Sequence, residues 1–158
     1  MKKRILIVFV IVLALATTGS LVWAASPPLD VEFEVPTTIP GGGLPTFGPF
    51  TATGPAVDDL IVCASGDTRD VFGKTSGFQS QTGGVNIQVV KRFTCGDGSG
   101  EFFVKLQVRI DKKGDNFNWN ILGGTEDYEK LHGTGKGIGL YLVPGEVFDV
   151  YTGAVHID

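Results

Sequence analysis

The chain is poor in the residues that most often carry chemistry: two cysteines, two histidines and one methionine among 158 residues. No CxxC pair occurs, which speaks against a zinc site, because such sites usually draw four ligands at short spacing. No G-x-S-x-G is present, so a nucleophile elbow is missing, and no D-x-D-x-D-G loop offers a calcium cradle. Basic residues number 13 against 17 acidic ones and form no stripe. Nucleic acid is therefore not an expected partner, since neutralising phosphate needs clustered Lys and Arg. Beyond the N-terminus no segment keeps a long 3.6-residue apolar period, which excludes a helical bundle.

What is present begins with an export pattern. Lys2, Lys3 and Arg4 precede an apolar run over 5–16, and a polar break follows at 17–20. Val22-Trp23-Ala24 then sets small residues at the two positions a signal peptidase reads. The pattern predicts a signal peptide over 1–24 and a secreted, extracellular product. An uncleaved membrane anchor stays open, because 5–25 is long enough to span a bilayer, although the polar break weakens it. Cleavage would remove three basic residues and no acidic one, taking the net charge from −4 to −7. The remainder has the size of one domain, which buries roughly two-thirds of its unfolded surface. After cleavage no membrane association is expected.

Cys63 and Cys95 form an even pair in a chain expected to meet an oxidising compartment, which predicts a disulfide. A reactive thiol or a metal ligand is the alternative. Each cysteine lies beside a β-like run, at 60–64 and 85–94, so a bridge between adjacent strands is expected.

Residues 25–46 are rich in proline and glycine and are expected as an extended lead-in, with Val31-Glu32-Phe33-Glu34-Val35 able to add one edge strand. From residue 47 to 158 short β runs alternate with turn chemistry. Phe103, Lys105, Gln107 and Arg109 alternate with Val104, Leu106, Val108 and Ile110, a strict period of two. Val85, Ile87 and Val89 alternate likewise, as do Phe117, Trp119 and Ile121 with Asn118 and Asn120. Gly96-Asp97-Gly98-Ser99-Gly100 reads as a hairpin loop. A short helical turn is expected near 125–131, capped by Thr125 and ended by Gly133. Seven to nine strands at this spacing predict an all-β, antiparallel, closed barrel, with eight strands preferred.

One strand is unusual. Gly133, Gly135, Gly137 and Gly139 fall at every second position, leaving one face without side chains. Each glycine weakens a strand, so close packing of a neighbour such as Trp119, or sharp coiling, must compensate. A phosphate cradle is disfavoured, because Gly137 follows Lys136 where a P-loop needs Ser or Thr.

The segment Gly123-Gly124-Thr125-Glu126-Asp127-Tyr128-Glu129-Lys130-Leu131-His132-Gly133, with Asp149-Val150-Tyr151-Thr152-Gly153, resembles the G-G-T-G-x-[YF]-x-x-[LA]-x-G region of allene oxide cyclase-like and dirigent-like eight-stranded barrels. Stretches around Thr53-Gly54-Pro55, Val62-Cys63-Ala64 and Phe93-Thr94-Cys95 are similar to exported bacterial members of that group. Glu126 departs from the pattern, standing where the second glycine of G-T-G is usual. The resemblance implies a barrel whose lumen handles small molecules: allene oxide cyclases cyclise a fatty-acid epoxide, and dirigent proteins steer phenol coupling. It assigns no catalytic residue to this chain.

Phe103, Trp119, Tyr128, Tyr141 and Tyr151 are the candidate lumen-lining residues, with Phe148 a further aromatic that a lumen could use. Packed core is the alternative for all of them. His132 with Asp127 could act as base and orienter, with a solvated pair the alternative, and neither His132 nor His156 has a nucleophile at a recognised spacing. Asp58, Asp59, Asp67 and Asp70 read as solvated turn acids. These features predict an exported barrel binding a small apolar or phenolic ligand, with no cofactor and no metal. A cyclase or isomerase, or a structural surface-interaction protein, are the other readings. The sequence leaves the oligomeric state undefined.

Overall fold

Alternating apolar and polar residues make strands that each need one face covered, and here the sheet covers it by closing on itself. The structure, a computed structural model, describes residues 26–76, 85–111 and 114–158. The export segment expected over 1–24 lies outside the described residues. The strands are β1 (Leu29–Thr38), β2 (Phe47–Thr53), β3 (Ser65–Ser76), β4 (Val85–Cys95), β5 (Glu101–Asp111), β6 (Gly114–Gly124), β7 (Leu131–Val143) and β8 (Glu146–Ile157). Each pairs antiparallel with the next, and β8 pairs with β1, giving a closed eight-stranded up-and-down barrel. The expected fold class is what the chain forms.

Three local expectations need correction. The lead-in contributes a full barrel strand: Val31, Phe33, Val35 and Thr37 of β1 point inward, and the strand pairs along its length with β8. Its ladder to β2 lapses between Glu34 and Thr38, around Pro36, which has no N–H to give. The run at 60–64 is bend and turn rather than strand, with Leu60 exposed at φ +58°. The helical turn near 125–131 shrinks to a 3-10 turn, Glu126–Tyr128, and Leu131 already opens β7. Thr125 does not cap it through its side chain; its hydroxyl accepts the Glu101 N–H at 3.3 Å. One short helix, α1 (Pro55–Asp58), was not expected. Among the described residues no helix is long and apolar enough to cross a membrane.

The barrel has two unlike ends. At one end Ala56 of α1, Val62, Tyr128 and Leu131 are buried. There the disulfide Cys63–Cys95 forms, with Cα atoms 5.9 Å apart. It ties the loop after α1 to the end of β4, where Cys95 sits opposite Gly66 of β3. Tyr128 Oη lies 3.3 Å from Cys95 Sγ and 2.7 Å from Ser99 Oγ, so this end is sealed by side chains with satisfied polar atoms. Above it an aromatic cluster fills the middle of the lumen. Phe93 stacks on Phe102 at 5.0 Å, Phe33 meets Trp119 at 6.2 Å, and Phe117 meets Tyr151 at 4.7 Å. Aromatic pairs at such spacings add to the burial energy.

The glycines of β7 give these rings room. They point inward, and a Cβ at Gly135 would stand 2.5 Å from Trp119 Cε2. One at Gly153, opposite Gly135 on β8, would stand equally close to Trp119 Cζ2. A Cβ at Gly137 would run into the Phe117 ring. Trp119 completes the fit by donating its indole N–H to Lys136 O at 3.1 Å.

Candidate functional site

The other end of the lumen is not filled. Above the aromatic cluster lies a cavity of about 400 Å³, within the usual range for small-molecule sites. Its apolar wall comes from consecutive inward positions of β4 and β5: Ile87 and Val89, then Leu106, Val108 and Ile110. Phe117 and Val147 continue that surface.

The cavity also has a charged side, because inward positions of four strands carry ionisable residues here. On β4 the inward series Ile87, Val89, Phe93 contains Lys91; on β6 the series Phe117, Trp119, Ile121 is headed by Asp115; on β8 Asp149 precedes Tyr151. A register shift between Asp70 and Phe72 bends β3 and leaves Asp70 turned inward. Lys91, 2 % exposed, lies 3.0 Å from Asp70 Oδ1 and donates to Thr46 Oγ1 at 2.9 Å. Asp70 Oδ2 accepts both the backbone N–H and the hydroxyl of Thr46 at 2.7 Å, and Asp70 N–H donates to Thr46 O. A buried pair lacking such hydrogen bonds would cost stability. Here the pair anchors the β1–β2 loop, whose Ile39, Gly43 and Leu44 form part of the cavity rim. Ile39 N–H donates to Gly145 O at 2.8 Å, joining that loop to the β7–β8 turn.

Asp115 and Asp149 flank Gly139, which pairs with both. A Cβ placed on Gly139 would be 3.0 Å from Asp115 Cβ and 3.0 Å from Asp149 Oδ1. The two acids therefore close over the bare glycine, leaving no room for a side chain there. Asp115 accepts the Tyr141 hydroxyl proton at 2.6 Å, and burial together with this acid holds the Tyr141 phenol well above its ordinary range. Asp149 accepts from Thr37 Oγ1 at 2.9 Å through Oδ2. Burial pushes the Asp149 carboxyl up to about 6, opposed by Lys91 and the Thr37 hydrogen bond and aided by Asp115 and Asp70. Tyr151 is 1 % exposed and its hydroxyl has no hydrogen-bond partner among the described residues, although it lines the cavity. Burial, with Asp149 nearby, keeps it protonated.

The sequence-derived candidates divide accordingly. Tyr141 and Tyr151 line the cavity. Trp119 and Tyr128 are packed core, filling the middle and the sealed end. Phe103 is half-buried and out of phase with the inward Phe102 and Val104, so it sits on the outer face, away from the cavity lining. Phe148 falls on the outward phase of β8 beside inward Val147 and Asp149. His132 and His156 meet Asp158 at 3.2 and 3.4 Å, away from the cavity lining. Asp70, read as a solvated turn acid, is buried and ion-paired. Lys91, Asp115 and Asp149 were missed; a charge on the apolar phase of a strand was the available signal. Among the described residues no group of three or more His, Cys, Asp or Glu is disposed to hold a metal. Neither a model of a known protein family nor a curated protein matches the chain.

Proposed function

We propose that this protein is an exported barrel that binds one small, mainly apolar or phenolic molecule in the open end of its lumen. The observation that carries the reading is the half-filled barrel, in which a space of about 400 Å³ remains beside a buried tyrosine hydroxyl that has no partner among the described residues. A lumen built only for stability would be filled, since interiors otherwise pack densely and buried polar groups find partners. Apolar residues of β4 and β5 supply desolvation, and the polar wall supplies orientation. The disulfide supports an oxidising compartment, in keeping with the N-terminal export pattern.

Native mass spectrometry of the full chain with 1-naphthol and 1-octanol tests this. A one-to-one complex retained at micromolar ligand supports the reading, and bare protein with both overturns it.

A cyclase or isomerase, the activity implied by the resemblance to allene oxide cyclase-like barrels, is favoured by one feature. Asp149 is a carboxyl raised to about 6 beside an enclosed space, where a group near neutrality works best as an acid or base. Turnover of a bound epoxide or olefin, lost in Asp149→Asn with binding retained, separates catalysis from binding.

A further inference from the structure

The cavity's polar wall says what kind of head group it suits. Among the described lining residues the formally charged side chains are Asp70, Asp115, Asp149 and Lys91. Lys91 is already held by Asp70 and Thr46, so its ammonium is not offered to a ligand. Asp149 lines the cavity and uses Oδ2 for Thr37, and among the described residues no donor is found on its Oδ1. Two residues on, Tyr151 projects from the same face of β8 with an unpartnered hydroxyl. Two side chains that line one cavity from the same face of β8 thus each hold an oxygen with no hydrogen-bond partner among the described residues. Phe117 and Tyr151 pack 4.7 Å apart and both line the cavity, adding ring faces that attract cations.

We propose that the ligand is a cationic amphiphile, an alkyl- or arylalkylammonium ion, whose N–H groups donate to Asp149 Oδ1 and Tyr151 Oη while its apolar body lies against β4 and β5. This rests on the binding function proposed above and narrows its ligand class. A carboxylate head would meet Asp149 and Asp115 and be repelled. A neutral alcohol would satisfy Tyr151 but leave the charge of Asp149 unanswered. A charge-assisted hydrogen bond in a desolvated site favours the ammonium by about tenfold or more.

The test is calorimetric titration of the full chain at pH 7.5 with octylammonium, 1-octanol and octanoate, which share one tail. The expected order is octylammonium tightest, 1-octanol about tenfold weaker, octanoate weakest. Asp149→Asn shrinks the amine-over-alcohol ratio at least threefold, whereas Tyr151→Phe weakens amine and alcohol alike. Tyr151→Phe removes a hydroxyl that bonds to nothing among the described residues, so its fold is retained, and circular dichroism checks this. Equal binding of all three, or octanoate tightest, overturns the cationic preference and leaves the lumen-binding function standing. Binding of calcium chloride without binding of octylammonium also overturns the preference. No binding by any of the three organic probes overturns both.

Discussion

At Tyr151 the fold accepts a buried hydroxyl with no partner among the described residues, which ordinarily costs about 1–3 kcal/mol. Tyr151→Phe is therefore expected to raise the melting temperature of the ligand-free protein; a fall would mean that the hydroxyl has a stabilising role. Asp149 carries a titration signature. Its carboxyl sits near 6 when folded against about 3.9 for an ordinary aspartate, so the native state keeps its proton longer than the unfolded chain. Its contribution is intact below pH 4 and is lost as pH rises through 6, by up to about 3 kcal/mol. Urea unfolding between pH 4 and 7 should show this loss in the parent and not in Asp149→Asn; parallel curves would contradict it. Glu126 holds φ +53°, in the left-handed region that favours glycine. A left-handed backbone costs a side chain about 1–2 kcal/mol, partly offset by glycine's unfolded freedom. Glu126→Gly is expected to stabilise slightly, by about 0.5–1 kcal/mol, and destabilisation would show that the Glu126 side chain matters more than its backbone.

Among the elements, β7 is the one whose sequence pattern has the sharpest structural consequence. Its inward glycines are contact surfaces for Trp119 and Phe117, so Gly135→Val and Gly137→Val each force a ring or a strand to move. A loss of about 3 kcal/mol or more is expected for either in chemical denaturation, and an unchanged midpoint would refute the close packing. Strands β5 and β6 were legible because their alternation is strict and one face becomes core: Val104, Leu106, Trp119 and Ile121 are all buried. β1 was harder to read, since Pro36 and the glycines after it suggest a loose lead-in. The long-range ladder to β8, which holds the strand in place, has no local signature. The same limit hid the polar wall. Asp70 looks like a turn residue until the irregularity in β3 turns it toward Lys91, 21 positions away. The cysteine pair needed no such context, because chain location and even count sufficed. Closing that loop contributes roughly 3–4 kcal/mol in the chain-entropy picture. Reduction should lower the melting temperature accordingly; an unchanged value would show that the sealed end holds without the bridge.

For the whole molecule, the two ends of one barrel have separate roles. The end sealed by α1, Tyr128 and the Cys63–Cys95 bridge gives rigidity, and the aromatic cluster above it forms a floor. The far end keeps an amphipathic space whose walls are fixed by strands on every side, so a ligand meets a preformed surface and little ordering is needed on binding. The most direct test of this account is fluorescence titration of the full chain with N-phenyl-1-naphthylamine, comparing the parent with Val108→Trp, which fills the cavity from β5. Saturable one-site enhancement in the parent, abolished in a Val108→Trp protein of native circular dichroism, is the predicted result. No saturable enhancement, or enhancement equal in both proteins, would contradict a binding site inside the lumen.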